Sequence, residues 1–173
     1  MIYVTDTHPL VFWSSNRKRR LGNRARRILQ ETEQGKHSII VPIIVLEEIH
    51  RLVERKIDRL DVPFRRWAEE LERSPNFQVQ PYTLEVLLES VALPTIRDPA
   101  DRVIVATARH LRCPLITADE LIQNGDWVDT VWDLHVRQQP LVRTLVRLVN
   151  SASDLGLESP ASATNQKDGS RTN

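Results

Sequence analysis

Residues 97–122 read RDPADRVIVATARHLRCPLITADELI. Asp98 stands where a helix needs an acceptor for its free N–H groups, and Pro99 suits the first helical position. Val103, Ile104, Thr107, Ala108 and Leu111 then recur at helical spacing and mark an inward stripe. Residues 114–116 (PLI) form a short apolar run of the kind found in a buried strand. Thr117-Ala118-Asp119 follows at once, and Gly125 ends a brief helix over 120–124. A helix feeding directly into a buried strand is half of a β-α-β unit, and the rest of the chain supplies matching halves.

Residues 1–5 (MIYVT) are apolar and β-prone, and Asp6 closes them. Residues 8–13 predict a short helix with Pro9 at its start. In 16–27 (NRKRRLGNRARR) seven residues are basic and none acidic. Leu21, Ala25, Ile28 and Leu29 give that region helical spacing. Residues 37–41 (HSIIV) predict a second strand. Pro42 opens a helix through Ile44, Val45, Glu48, Ile49, Leu52 and Val53. A helix is expected over 61–71 with Pro63 in its first turn, a strand over 77–81, a helix over 83–91 capped by Thr83, and an edge strand over 130–132. Strands separated by helices predict an α/β fold of three layers, α/β/α, around a mainly parallel sheet. No internal repeat is visible.

The chain has 173 residues, enough for one domain with a substantial core. Aromatic residues make up only 5%, so the core is mostly aliphatic, which suits a buried sheet. Net charge is +1, so affinity for nucleic acid has to come from local clusters. The single cysteine, Cys113, cannot form an intramolecular disulfide and reads as a small core residue in a reducing compartment. The apolar opening is cut by Asp6 too early for a secretory signal, and no apolar run is long enough for a bilayer. A cytoplasmic protein with no membrane association is expected. Residues 1–133 read as the folded domain. Residues 134–150 read as an extension whose 140–150 segment (PLVRTLVRLVN) is an amphipathic helix with Leu141, Leu145, Leu148 and Val149 on one stripe, and 151–173 as a disordered tail.

Four acids stand out by position. Asp6 and Asp119 come straight off strand ends. Glu48 and Asp101 lie near the starts of helices that begin at the same edge of a parallel sheet, where ligands gather. Acids at helix starts are often mere caps. An acid closing a buried apolar strand is harder to explain that way, because it is costly without a partner. Converging carboxylates repel unless a positive charge sits among them. With only oxygen donors on offer, the fitting cation is Mg²⁺ or Mn²⁺ rather than Zn²⁺.

The stretches YVTDTHPLVFW (3–13), VPIIVLEEIHRLVERKID (41–58), the quoted 97–122 block and DTVW (129–132) resemble a PIN domain of the VapC-like toxin type. The resemblance runs through residues 1–133 in order. It implies an α/β/α fold with a parallel sheet, Mg²⁺- or Mn²⁺-dependent endoribonuclease activity, and catalytic, metal-holding acids at Asp6, Glu48, Asp101 and Asp119. It also implies a homodimer and a small antitoxin partner, as in a type II toxin–antitoxin pair. Of the adjacent Glu47 and Glu48, Glu48 precedes an apolar residue as the family glutamate does. Asp98 reads as a helix cap that also supports the site, and Thr7 and Thr117 as hydroxyls that orient a carboxylate or a water. Arg17, Lys18, Arg19 and Arg20, with Arg102 beside Asp101, are candidate contacts to the RNA backbone. The glue for a dimer is expected on the helices after the first and second strands and on 140–150. Trp13, Trp67, Trp127 and Trp132 read as core or interface anchors. His50 and His110 lack a partner pattern.

Two other readings compete. An aspartyl phosphatase of the haloacid-dehalogenase kind wants a second Asp two residues after the first, where His8 stands, and a receiver domain wants an acid pair and a late lysine that are not visible. A non-catalytic PIN fold that binds RNA or protein would have little reason to keep all four acids.

Overall fold

The computed structural model describes residues 1–133; the expected 140–150 helix and 151–173 tail lie outside the described residues. Five strands form one parallel sheet: β1 (Ile2–Thr5), β2 (Ser38–Pro42), β3 (Phe77–Gln80), β4 (Leu115–Ile116) and β5 (Thr130–Val131), in the order β3-β2-β1-β4-β5. Tyr3, Val4 and Thr5, and then Ile39, Ile40 and Val41, are buried in succession. A strand buried at consecutive positions is covered on both faces, so helices sandwich the sheet. The register pairs Val4 with Ile40 on one side and with Leu115 on the other. The chain therefore moves outward from β1 through β2 to β3, then crosses back to the far side of β1 for β4. That reversal opens a crevice beyond the C-terminal end of β1, where Asp6 emerges.

The helices are α1 (Thr7–Trp13), α2 (Asn23–Glu33), α3 (Ile43–Glu54), α4 (Phe64–Arg73), α5 (Leu84–Val91), α6 (Pro99–Leu111) and α7 (Glu120–Asn124). Asp98 caps α6, its carboxylate accepting from the N–H groups of Ala100 and Asp101 at 2.8 and 3.3 Å. Thr83 caps α5.

Two helix starts differ from the sequence reading. The helix expected from 61 begins at Phe64 with Pro63 as its cap, because the residue before a proline is pushed out of the helical region. The second helix begins only at Asn23, after a 3₁₀ turn over Lys18–Arg20 and an extended Gly22. A Cβ on Gly22 would lie 2.7 Å from the Trp132 carbonyl oxygen, so this close approach excludes any larger residue. Gly125 ends α7 as expected, with extended backbone at φ −77° and ψ 151°. Glycine stands there because the Trp127 ring occupies the space of a side chain.

The exposed apolar residues expected on the helices after β1 and β2 are few, and the 140–150 part of that expectation lies outside the described residues. On α1, six of seven residues are buried, and α3 leaves only Ile43 well exposed among its large apolar residues. The exposed apolar stripe lies on α5, at Leu84, Leu87, Leu88 and Val91, with Tyr82 beside it. Among the described residues no helix is long and apolar enough to cross a membrane.

Candidate active site

Asp6 sits at the end of β1 and serves as N-cap of α1. One carboxylate oxygen accepts from the Thr7 N–H at 2.6 Å and the other from the Thr117 hydroxyl at 2.6 Å. Asp6 is 4% exposed, and burial pushes its carboxyl up. The Thr117 and Thr7 bonds and His8 oppose that shift, while Asp119 adds to it.

The Thr7 hydroxyl donates to Glu48 Oε2 at 2.6 Å, tying α1 to α3. Burial also raises the Glu48 carboxyl, against its Thr7 bond and with help from Asp6 and Asp98. Thr117, fully buried after β4, both donates to Asp6 and accepts from the Asp119 N–H at 3.0 Å. Asp119 in turn caps α7, accepting from the Ile122 N–H at 2.9 Å. The result is one connected chain, Glu48–Thr7–Asp6–Thr117–Asp119, drawn from three separate parts of the sequence. Each threonine hydroxyl has one proton, and each spends it on a carboxylate.

Asp101 faces the same space from the first turn of α6. Its carboxyl is pushed up to about 7, first by burial and then by Asp6, Asp98, Asp119 and Glu48. An acid whose shift has four other acids among its causes marks a place of concentrated negative charge. Asp6, Glu48, Asp98, Asp101 and Asp119 all line one open cleft of about 790 Å³. That volume is in the range of sites for drug-sized ligands, well beyond what an ion needs. Glu47, one residue from Glu48, instead points outward and pairs with Arg51.

The acids of the cleft offer oxygen donors, a chemistry that fits a hard divalent cation. Among the described residues no three Asp, Glu, His or Cys side chains stand close enough together to grip one ion as placed. The acids ring a space, and a cation there would keep waters between itself and some of them.

The candidate basic residues divide. Arg20 lines the cleft, its guanidinium 4.8 Å from the centre of the Phe12 ring. Arg17 is paired with Asp58, and the Lys18 ammonium lies 3.8 Å from the centre of the Trp13 ring. Arg19 is exposed and outside the cleft. Arg102, expected to reach a phosphate, turns away: Nε and Nη2 both donate to the Ile96 carbonyl, at 3.0 and 2.7 Å. It clamps the loop before α6 and does not line the cleft. Two cleft arginines escaped the sequence reading, Arg51 and Arg55. Their spacing from Glu48, three and seven residues, was a visible signal, since it puts all three on one helix face. Trp132 and His8 also line the cleft, and neither was expected there.

The family model of the PIN domain matches residues 3–127. The chain belongs to the PIN domain family. Among solved structures, a chain of the VapBC2 complex from Rickettsia felis, bound to a DNA fragment from its promoter, is similar at a TM-score of 0.58 and 16% identity, covering 77% of this chain and 100% of that one. A chain of a toxin–antitoxin complex from Klebsiella pneumoniae gives 0.51 and 21%, covering 73% and 94%. One from FitAcB of Neisseria gonorrhoeae gives 0.51 and 19%, covering 75% and 96%. At these identities the likeness is one of fold. No curated protein sequence matches this chain.

Proposed function

We propose that this chain is a metal-dependent endoribonuclease, with Asp6, Glu48, Asp101 and Asp119 holding Mg²⁺ or Mn²⁺, and the toxin of a type II toxin–antitoxin pair. The observation that carries this reading is the convergence of these acids on one cleft at the switch point of the sheet. A bound divalent ion would supply an activated water and shield the charge of the attacked phosphate. The chain's own part is positioning. Thr117 and Thr7 fix the rotamers of Asp6 and Glu48, and Asp98 fixes the start of the helix that carries Asp101. The fold shared with complexes titled VapBC2, FitAcB and toxin–antitoxin supports the assignment to a toxin with a small protein partner.

The test is Mn²⁺-dependent cleavage of single-stranded RNA. Asp6→Asn, Glu48→Gln, Asp101→Asn and Asp119→Asn should each lower the rate on the order of a hundredfold or more while remaining folded. Glu47→Gln should be mild. Cleavage retained by two of the four variants would overturn the assignment.

One observation favours a second reading, a PIN fold that binds RNA or protein without cutting it: among the described residues no three acids close on a point. That protein would neither cleave RNA nor gain stability from Mg²⁺ or Mn²⁺.

A homodimer is part of the proposal, and α5 is the surface the described residues offer for it. Leu84, Leu87, Leu88 and Val91 make a stripe at helical spacing that water should not keep. Leu84→Glu with Leu88→Glu should convert a dimer to a monomer by light scattering. An unchanged dimer would place the contact elsewhere.

A further inference from the structure

We propose that Arg51 on α3, Arg55 at its C-terminal cap and Arg20 form a basic rim on the cleft that holds the phosphates of a single RNA strand beside the acids. The inference rests on the ribonuclease reading above and adds how the strand is held. Glu48 and Arg51 lie one turn apart on α3, Arg55 caps its C-terminal end, and all three line one cleft, so a residue of the acidic floor and two guanidiniums come from one helix and its cap. Arg20 enters from the 3₁₀ turn after α1, braced on the Phe12 ring, which itself lines the cleft. Acid floor and basic rim therefore meet within one cavity, negative where a cation would sit and positive where a polyanion would run.

Arg51 and Arg55 are both exposed. Arg51 is paired with Glu47 one turn earlier, a contact on a solvent-exposed helix face. Such a pair is weak and gives way readily to a phosphate, which offers a guanidinium two oxygens at once. The ordinary alternative is that Arg51 merely offsets the nearby acids. That does not account for Arg55 and Arg20, which line the same cleft and have no carboxylate partner among the ion pairs of the described residues. Leu52, Leu121 and Trp132 add apolar surface beside the arginines. A charged track flanked by apolar and aromatic surface is the arrangement that takes an unpaired strand, whose bases are free to pack.

Binding of a fluorescein-labelled twelve-nucleotide single-stranded RNA, followed by anisotropy across salt concentrations, tests this. The Asp101→Asn chain without divalent ion serves as background, so that nothing is cut. On that background Arg51→Gln with Arg55→Gln should lower the slope of log affinity against log salt by about 1.4, and Arg20→Gln by about 0.7, at about 0.7 per phosphate contact. Arg65→Gln with Arg66→Gln on α4, which removes the same charge away from the cleft, should leave the slope unchanged. Equal slope losses from the Arg51/Arg55 pair and the α4 pair would mean a diffuse field rather than a basic rim on the cleft and would overturn the inference. So would an RNA duplex of the same sequence binding as tightly as the single strand. Failure of the unaltered chain to cleave RNA with Mn²⁺ would instead overturn the ribonuclease reading, and the inference with it.

Discussion

The acids of the cleft and the acids of α4 carry the same charge and are kept in opposite ways. On α4, Glu69 pairs with Arg65 at 3.1 Å and Glu70 with Arg66 at 2.8 Å, each across one helical turn in solvent. These contacts are local and legible as a four-residue spacing. In the cleft, the partners of Asp6 and Glu48 are neutral hydroxyls, and their nearest charged neighbours are largely other acids. The hydroxyl bonds, His8 and Arg51 offset this like charge only in part, and both carboxyls stay raised. A cation would relieve that repulsion, which is the contrast the proposed site rests on.

The contrast breaks most visibly through metal. If the cleft acids await a cation, Mn²⁺ or Mg²⁺ at about a hundred times its dissociation constant should stabilise the chain by about 2.7 kcal/mol in thermal melts, and Asp101→Asn should abolish most of that gain. The same acids set a sign for pH. The Asp101 carboxyl lies at about 7 in the fold, above its unfolded value of about 3.9. Its favourable contribution is complete below the unfolded value and is lost as pH rises through about 7, so the metal-free chain should grow less stable across that window. Asp6 and Glu48 shift in the same direction. Asp101→Asn should flatten the profile; a metal-free chain that gains stability over this range would show that the acids do not repel.

A smaller effect sharpens the role of the threonines. Thr117→Val keeps the shape but leaves one oxygen of buried Asp6 without its donor, and should cost about 1–3 kcal/mol in chemical denaturation. Thr117→Ser should restore most of it. Equal losses from both substitutions would assign Thr117 to packing alone. The smallest effect belongs to α4, where Glu70→Gln should change stability by less than about 0.5 kcal/mol.

Much of the fold was legible in the sequence because its signals are local. Asp98-Pro99 announces the start of α6, the run of Ile and Val in β2 announces a strand covered on both faces, and the alternation of strands with helices announces a parallel sheet. Boundaries failed where a non-local or subtle constraint acted, as at Pro63 and at Gly22 against Trp132. Among the candidate RNA contacts, type and position in the chain were a poor guide. Arg102 stands beside Asp101 in sequence, yet a backbone carbonyl claims its guanidinium. Arg51 and Arg55 reach the cleft because they follow Glu48 on α3 and at its C-terminal cap.

The sequence by itself determined the parallel α/β fold and the placing of acids at strand ends and helix starts, since propensity, capping and periodicity act over a few residues. Only the tertiary structure decided that a hydroxyl at 117 would bond a carboxylate at 6, that α5 rather than α1 would bare its apolar stripe, and which arginines would border the acids. Those outcomes depend on which elements pack against one another, and the contact between residues 6 and 117 exists only once β4 lies beside β1.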